Sequence, residues 1–229
     1  MLSLILETDK ENKMYEKGIQ TRNHLYQTTK QLFYTRGYEN TKIKDIVEIA
    51  DTPIGLFTYY FKTKDNIVHE IYAEYFNKIN DILTASKIGG LENSILRHAA
   101  LSWIYYEYIL SDENNRRFYY EILKKGSNYR VASDFIRDTY HNYIVDYQLV
   151  ISESEFDNCL FIDFGGRREY FINYFEKPLT DSVDEIVFLV NGILPRMLGI
   201  DQHAITTLLY KGIKLAKTID SNHIHFLCK

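Results

Sequence analysis

Thr41 through Lys64 reads TKIKDIVEIADTPIGLFTYYFKTK, and this stretch decides the fold. Ile43, Ile46, Val47 and Ala50 recur at three- and four-residue spacing, which marks one apolar face of a helix. Thr41 stands ahead of them as an N-cap, because its hydroxyl can accept from an orphan backbone N–H one turn on. Asp51 and Thr52 break the period. Pro53 follows at the first position of a second helix, where its missing N–H costs nothing, with Thr52 as that helix's cap. Ile54, Phe57 and Phe61 give the second helix an inward side, and Thr63 caps the next. Two short helices joined by so tight a turn read as a helix-turn-helix. They cannot bury themselves alone and need a third helix across them.

The sequence just upstream supplies it. A helix is expected from Lys13 to Arg36, with Leu25, Thr29, Leu32 and Phe33 as its buried stripe. Gly37 sits where a left-handed C-terminal residue is wanted, and Tyr38 can pack back on the helix. The run Leu25, Leu32-Phe33, Gly37-Tyr38, Thr41, Ile43, Ile46, Ala50, Gly55, Tyr60-Phe61, Lys64-Asp65 and Ile67 resembles the N-terminal domain of the TetR/AcrR family of transcriptional regulators. The resemblance spans roughly residues 18–68, and the remaining two thirds carry no motif. It implies an all-α protein: an N-terminal arm (1–12), a three-helix helix-turn-helix DNA-binding domain (13–62), and a C-terminal helical domain (63–229) for effector binding and dimerisation.

It also implies that the second helix of the motif enters the major groove, where bases are distinguished by their donor and acceptor patterns. Pro53, Ile54, Leu56 and Tyr59 are the positions so placed. The chain departs from the family with Asp51 where Gly is common and Thr58 where Tyr is common. Few polar groups remain on this helix: Pro53, Ile54, Leu56 and Phe57 can make apolar contacts only, while Thr58, Tyr59 and Tyr60 carry hydroxyls. Thr41, Thr52, Tyr59, Tyr60, Lys62 and Lys64 are expected at phosphates, which position a protein without reading sequence. Lys10, Lys13 and Lys17 are expected to add phosphate or minor-groove contacts.

Composition is consistent with this. The 229 residues include three prolines and two cysteines, Cys159 and Cys228, with a net charge of −4. So few prolines favour helix. Two distant cysteines are no disulfide framework and fit a reducing cytosol. No apolar run reaches the ~20 residues of a membrane span, and MLSLILETDKENK lacks the basic n-region and cleavage site of a signal peptide. From Lys10 to Lys64 ten Lys/Arg face six Asp/Glu, so a mildly basic module precedes an acidic body.

Beyond Gly89-Gly90, helices are expected over 91–110, 111–126, 127–149, 152–175, 181–198 and 202–219, with Gly165-Gly166 kinking or splitting the fourth. No period-two strand pattern occurs. For dimerisation, Ile186, Val190, Ile193, Leu194, Ile205, Leu208 and Leu209 supply two apolar stripes that two protomers could join into a four-helix interface; the alternative is intramolecular core. Twenty Tyr, thirteen Phe and one Trp suit an apolar pocket with a few aimed polar groups, or plain core. His98, Trp103, Tyr106, Tyr140 and His141 are the expected effector-binding residues. Arg116-Arg117 and Arg167-Arg168 read as solvated faces. His223-x-His225-x-x-Cys228 matches no standard metal spacing.

The leading expectation is a cytoplasmic, homodimeric, ligand-responsive repressor released from double-stranded operator DNA by a small molecule, with no cofactor, no catalytic residues and no membrane. No Gly-rich phosphate loop, Ser-His-Asp arrangement or metal spacing suggests an enzyme. The alternatives are a helical binding protein or enzyme that has lost sequence-specific DNA binding, and an activator or architectural factor.

Overall fold

The computed structural model describes the backbone of residues 2–126 and 128–228 and the side chains of residues 15–126 and 135–228. Among the described residues every regular element is a helix: α1 (Leu2–Arg36), α2 (Ile43–Ile49), α3 (Ile54–Phe61), α4 (Lys64–Ala85), α5 (Ser94–Leu110), α6 (Glu113–Lys125), α7 (Asn128–Asp146), α8 (Glu153–Glu176), α9 (Val183–Val190), α10 (Ile193–Met197) and α11 (Gln202–Ala216).

Three boundaries differ from expectation. The segment 1–12, expected as an arm, continues α1 from Leu2 onward. Gly165-Gly166 does not interrupt α8, because both glycines are exposed and a helical backbone continues through them unhindered. The single helix expected over 181–198 is two, α9 and α10, parted at Asn191-Gly192. Asn191 is fully buried there and its amide donates to the carbonyl of His98, so a side chain anchored on α5 fixes the break.

Helices α1 to α3 enclose a small core of Leu25, Phe33, Ile46, Phe57 and Phe61, all buried. The apolar periodicity of Ile46, Val47, Phe57 and Phe61 points inward, as it must when two short helices share one bracing helix. The front half of α4 closes this core with Ile67, Val68 and Ile71, while its later turns, with Tyr75, Phe76 and Ile79, enter the core of the larger domain. Thr63 caps α4 by accepting from the N–H of Asn66.

α5 is the axis of that larger domain and is buried nearly throughout. α11 lies across it at Gly212, where a Cβ would overlap the carbonyl oxygen of Leu96 and sit 2.8 Å from the Ala99 methyl. Only glycine permits so close a crossing. Past α11 the chain tucks back into the body: Phe226 stacks among Tyr72, Tyr75 and Phe118, with ring centroids 5.0–5.7 Å apart. The residues near His223 and Cys228 are therefore held by a buried anchor.

α1 and α4 are also joined by charge. Glu74 accepts from the Tyr26 hydroxyl at 2.5 Å and from Lys30 at 3.2 Å, and Lys78 pairs with it at 2.5 Å. Partial burial alone would raise the Glu74 pKa; hydrogen bonds from Lys78 and Tyr26 and the charge of Lys30 outweigh it and hold the group down to about 2, against a usual 4.5. A carboxylate whose folded pKa is depressed stabilises the fold above its unfolded pKa and loses that contribution as pH falls through the folded one. Glu74→Gln is therefore expected to cost about 1–2 kcal/mol at neutral pH, because Lys30 is left buried without its partner. The deficit relative to wild type should shrink between pH 4.5 and 2, as measured by urea unfolding of both proteins across that range.

Candidate DNA interface and ligand cavity

α3 presents an outward face. Pro53, Ile54, Thr58 and Tyr59 are exposed, Ile54 by 58% and Tyr59 by 77%. Gly55 lies between them with open space around it. Leu56 and Tyr60 are half-buried and lean on the core. Lys62 is exposed at the end of α3 in a positive-φ conformation (φ 63°). Lys17 is exposed on α1, whereas the side chains of Lys10 and Lys13 lie outside the described residues. Asp51 turns the chain between α2 and α3 at φ 46°, a left-handed conformation that Asp tolerates better than most residues.

Of the residues expected at phosphates, two are otherwise engaged and a third is sealed off. Thr41 is fully buried and its hydroxyl donates to the Gly37 carbonyl at 2.6 Å. The cap position of α2 belongs to Lys42, whose N–H donates to the Asp45 carboxylate. Thr52 does not cap α3, which begins after Pro53, and its hydroxyl is sealed from solvent without a partner. Lys64 donates to the carbonyls of Tyr38 at 2.8 Å and Thr41 at 2.5 Å and lies 4.1 Å from the centre of the Tyr38 ring. Its ammonium holds the α1–α2 loop together, with two of its three donors committed to these carbonyls.

α6 joins the two domains. Phe118 packs on Phe33 at 5.2 Å between ring centroids. Glu121 accepts from the backbone N–H of Glu39 at 3.0 Å. Lys125 reaches both Tyr38 and Asp65. Arg117, expected on a solvated face, donates to the carbonyl of Tyr34.

The opposite side of α6 walls a cavity of about 290 Å³. Tyr119 and Leu123 come from α6, Phe76 from α4, His98, Tyr105 and Tyr106 from α5, Phe135 and Tyr140 from α7, and Arg167 and Arg168 from α8. Of the expected effector residues, His98, Tyr106 and Tyr140 meet here. Trp103 and His141 do not: the Trp103 indole donates to Asp184 on α9 at 2.8 Å, and His141 is exposed beside Phe156. Trp103 sits five residues after His98, on another face of α5, which the expectation did not separate.

Neither Arg167 nor Arg168 is on a solvated face. Arg167 donates to Asp163 at 2.6 Å and to Asn191 at 3.1 Å. Arg168 donates to the carbonyls of Leu123 and Lys124 at the end of α6. Burial, and then the charge of Arg167, push the His98 imidazole well below its usual pKa. The sequence signal was present, because Asp163 and Arg167 are four residues apart on a helix and so share a face.

The expected dimer residues Ile186, Val190, Leu194, Ile205 and Leu209 are fully buried inside one protomer, and Ile193 and Leu208 are half-buried. α9 and α11 pack on α5, and α10 packs on α8 and α11. The outward groove on these helices is lined instead by Phe188, Leu189 and Tyr210, with Tyr210 68% exposed.

Residues 25–71 match the family model of bacterial regulatory proteins, tetR family. The N-terminal domain is a TetR-family domain. The chain is 21% identical over 141 residues to a probable HTH-type transcriptional regulator, YttP, of Bacillus subtilis (strain 168), covering 60% of this chain and 66% of the relative. It is 28% identical over 82 residues to the HTH-type transcriptional repressor NemR of Escherichia coli (strain K12), covering 34% of this chain and 41% of the relative. The chain thus spans no more than about two thirds of these relatives. The crystal structure of RolR in complex with resorcinol superimposes with a TM-score of 0.61 at 16% identity, covering 85% of this chain and 95% of that one. The two-domain helical fold is therefore that of RolR. No described helix is long and apolar enough to cross a membrane.

The TetR-family domain is seated on α6 through Gly37, whose φ is 84° and whose added Cβ would fall against the Glu121 carboxylate. Gly37→Ala is expected to cost about 2 kcal/mol, from the left-handed backbone and the clash together. Thermal unfolding would read the loss, and Glu121→Ala in the same chain should recover only the part due to the clash.

Proposed function

We propose that the protein is a homodimeric transcriptional regulator that acts in the cytoplasm as a repressor and leaves its operator when a small molecule fills the α4–α8 cavity. The observation that carries the reading is that α6 forms the cavity wall on one side and holds the TetR-family domain on the other. A ligand shifts such an equilibrium only as far as it prefers one arrangement of the two domains. Here a ligand pressing on Tyr119 and Leu123 acts on the element that carries Phe118, Glu121 and Lys125. α4 offers a second route, since Phe76 faces the cavity while Ile67 and Ile71 lie under α1. Support for a small-molecule ligand comes from RolR, which binds resorcinol on this fold.

Base contacts fall to Pro53, Ile54 and Thr58, and to Tyr59 with Lys62 at the phosphates. An apolar surface of this kind reads thymine methyls and groove shape. Two copies of α3 are needed to fill successive major grooves. We place the dimer surface at the groove of Phe188, Leu189 and Tyr210, with the larger domain taken from residue 63 onward.

Gel-shift titration against the DNA upstream of the protein's own gene tests the reading. Salt-sensitive retardation is expected, and Tyr59→Ala combined with Lys62→Ala should weaken it about tenfold or more. Retardation of no fragment, or a chain that sediments as a monomer at every concentration, would sink the proposal. Lys125→Met is expected to leave ligand affinity nearly unchanged while reducing ligand-induced release of DNA, because it cuts the link from α6 to Tyr38 and Asp65. Release that proceeds as in wild type would remove α6 from the pathway.

A further inference from the structure

The cavity walls carry a charge imbalance. Arg167 and Arg168 both contribute, and no Asp or Glu is among the lining residues. Asp163 neutralises Arg167 from behind the wall, fully buried and held by the Tyr140 hydroxyl at 2.9 Å. Arg168 has backbone carbonyls as partners and no carboxylate among the described residues. Among the described residues, one guanidinium charge at the cavity thus has no carboxylate partner.

Unused hydrogen-bond donors point the same way. Arg167 Nη2 is buried and has no acceptor among the described residues. The ring of His98 supplies a second. Its Nδ1 lies 2.6 Å from the Tyr143 hydroxyl, which is fully buried and has no other acceptor among the described residues. The Tyr143 O–H therefore donates to Nδ1, and the single proton of a neutral imidazole is left on Nε2. No acceptor for that Nε2–H is found among the described residues. His98 and Arg167 are neighbours through Tyr140, whose ring lies 5.1 Å from the His98 ring and 5.9 Å from the Arg167 guanidinium carbon. Buried donors without acceptors are costly, and a ligand that removes the cost must bring acceptors.

The remaining wall is flat and apolar. Phe76 stacks with Tyr105, at 5.0 Å between ring centroids, and with Phe135, at 4.5 Å. Faces of this kind pair with another ring. We propose that the cavity takes an aromatic carboxylate of one or two rings, its ring against the Phe135 end of this stack and its carboxylate oxygens on Arg167 and His98, with Arg168 balancing the charge. A neutral phenol or amide would leave the Arg168 charge unmatched. This rests on the reading of the cavity as the effector site, so binding is measured without DNA to let the two fail separately.

The test is calorimetric titration of the full-length protein with benzoate, salicylate and 1-naphthoate, each against its uncharged amide and against phenol. The acids are expected to bind about tenfold or more tightly than their amides, a charge-assisted difference. Arg168→Gln should cut that acid-to-amide ratio while leaving amide binding unchanged. Because Arg167→Gln alone strands Asp163 and endangers folding, the Asp163→Asn/Arg167→Gln double variant is the second probe, and it should reduce the ratio further. Amides or phenol binding as tightly as the acids, a ratio unmoved in both variants, or no acid binding at all would each overturn the assignment. Acids that bind but fail to release DNA would leave it standing and count against the regulatory mechanism alone.

Discussion

The contact between Gly37 and Glu121 is the constraint on which the two-domain arrangement depends. A side chain at residue 37 would both strain a left-handed backbone and displace the carboxylate. Around that point Phe33 meets Phe118, Glu39 donates to Glu121, and Lys125 spans Tyr38 and Asp65. α6 is therefore held by apolar packing near its middle and by charged hydrogen bonds toward its end. The first kind of contact resists separation of the domains. The second, partly exposed, can be exchanged for water at modest cost.

The same helix explains why the cavity lies where it does. α6 cannot bury both faces in apolar core, since one is committed to the DNA-binding domain. Its other face, with Tyr119 and Leu123, meets α8 across Arg168, whose guanidinium occupies the α6 C-terminal carbonyls. A guanidinium at a helix C-terminus is favoured by the helix dipole, and here it ties α8 to the end of α6. Deeper in, Arg167 and Asp163 form a buried pair. Such a pair adds little net stability over an apolar replacement, so its presence beside a cavity points to recognition more than to folding strength.

The periodic elements were legible in the sequence, and so was the identity of the first domain, because the spacing of Leu25 through Ile67 encodes a local packing problem with few solutions. The inward or outward sense of individual residues was not. Thr41 and Lys64 looked like surface donors, yet both serve the α1–α2 loop. Trp103 looked like pocket lining and instead binds Asp184. A one-dimensional pattern gives the face of a helix but not which neighbour covers it, and α5 is covered on all sides.

The sequence alone determined that the chain is helical and that residues 41–64 turn between two short helices braced by a third. These follow from spacing and backbone chemistry within one or two turns. Only the tertiary structure decided that Ile186, Val190, Leu194, Ile205 and Leu209 are buried within one protomer, and that two arginines read as solvent-facing border a cavity. Both outcomes rest on contacts between residues far apart in the chain, such as Asn191 with His98 and Arg168 with Leu123, and local periodicity carries no record of which distant helix a face will meet.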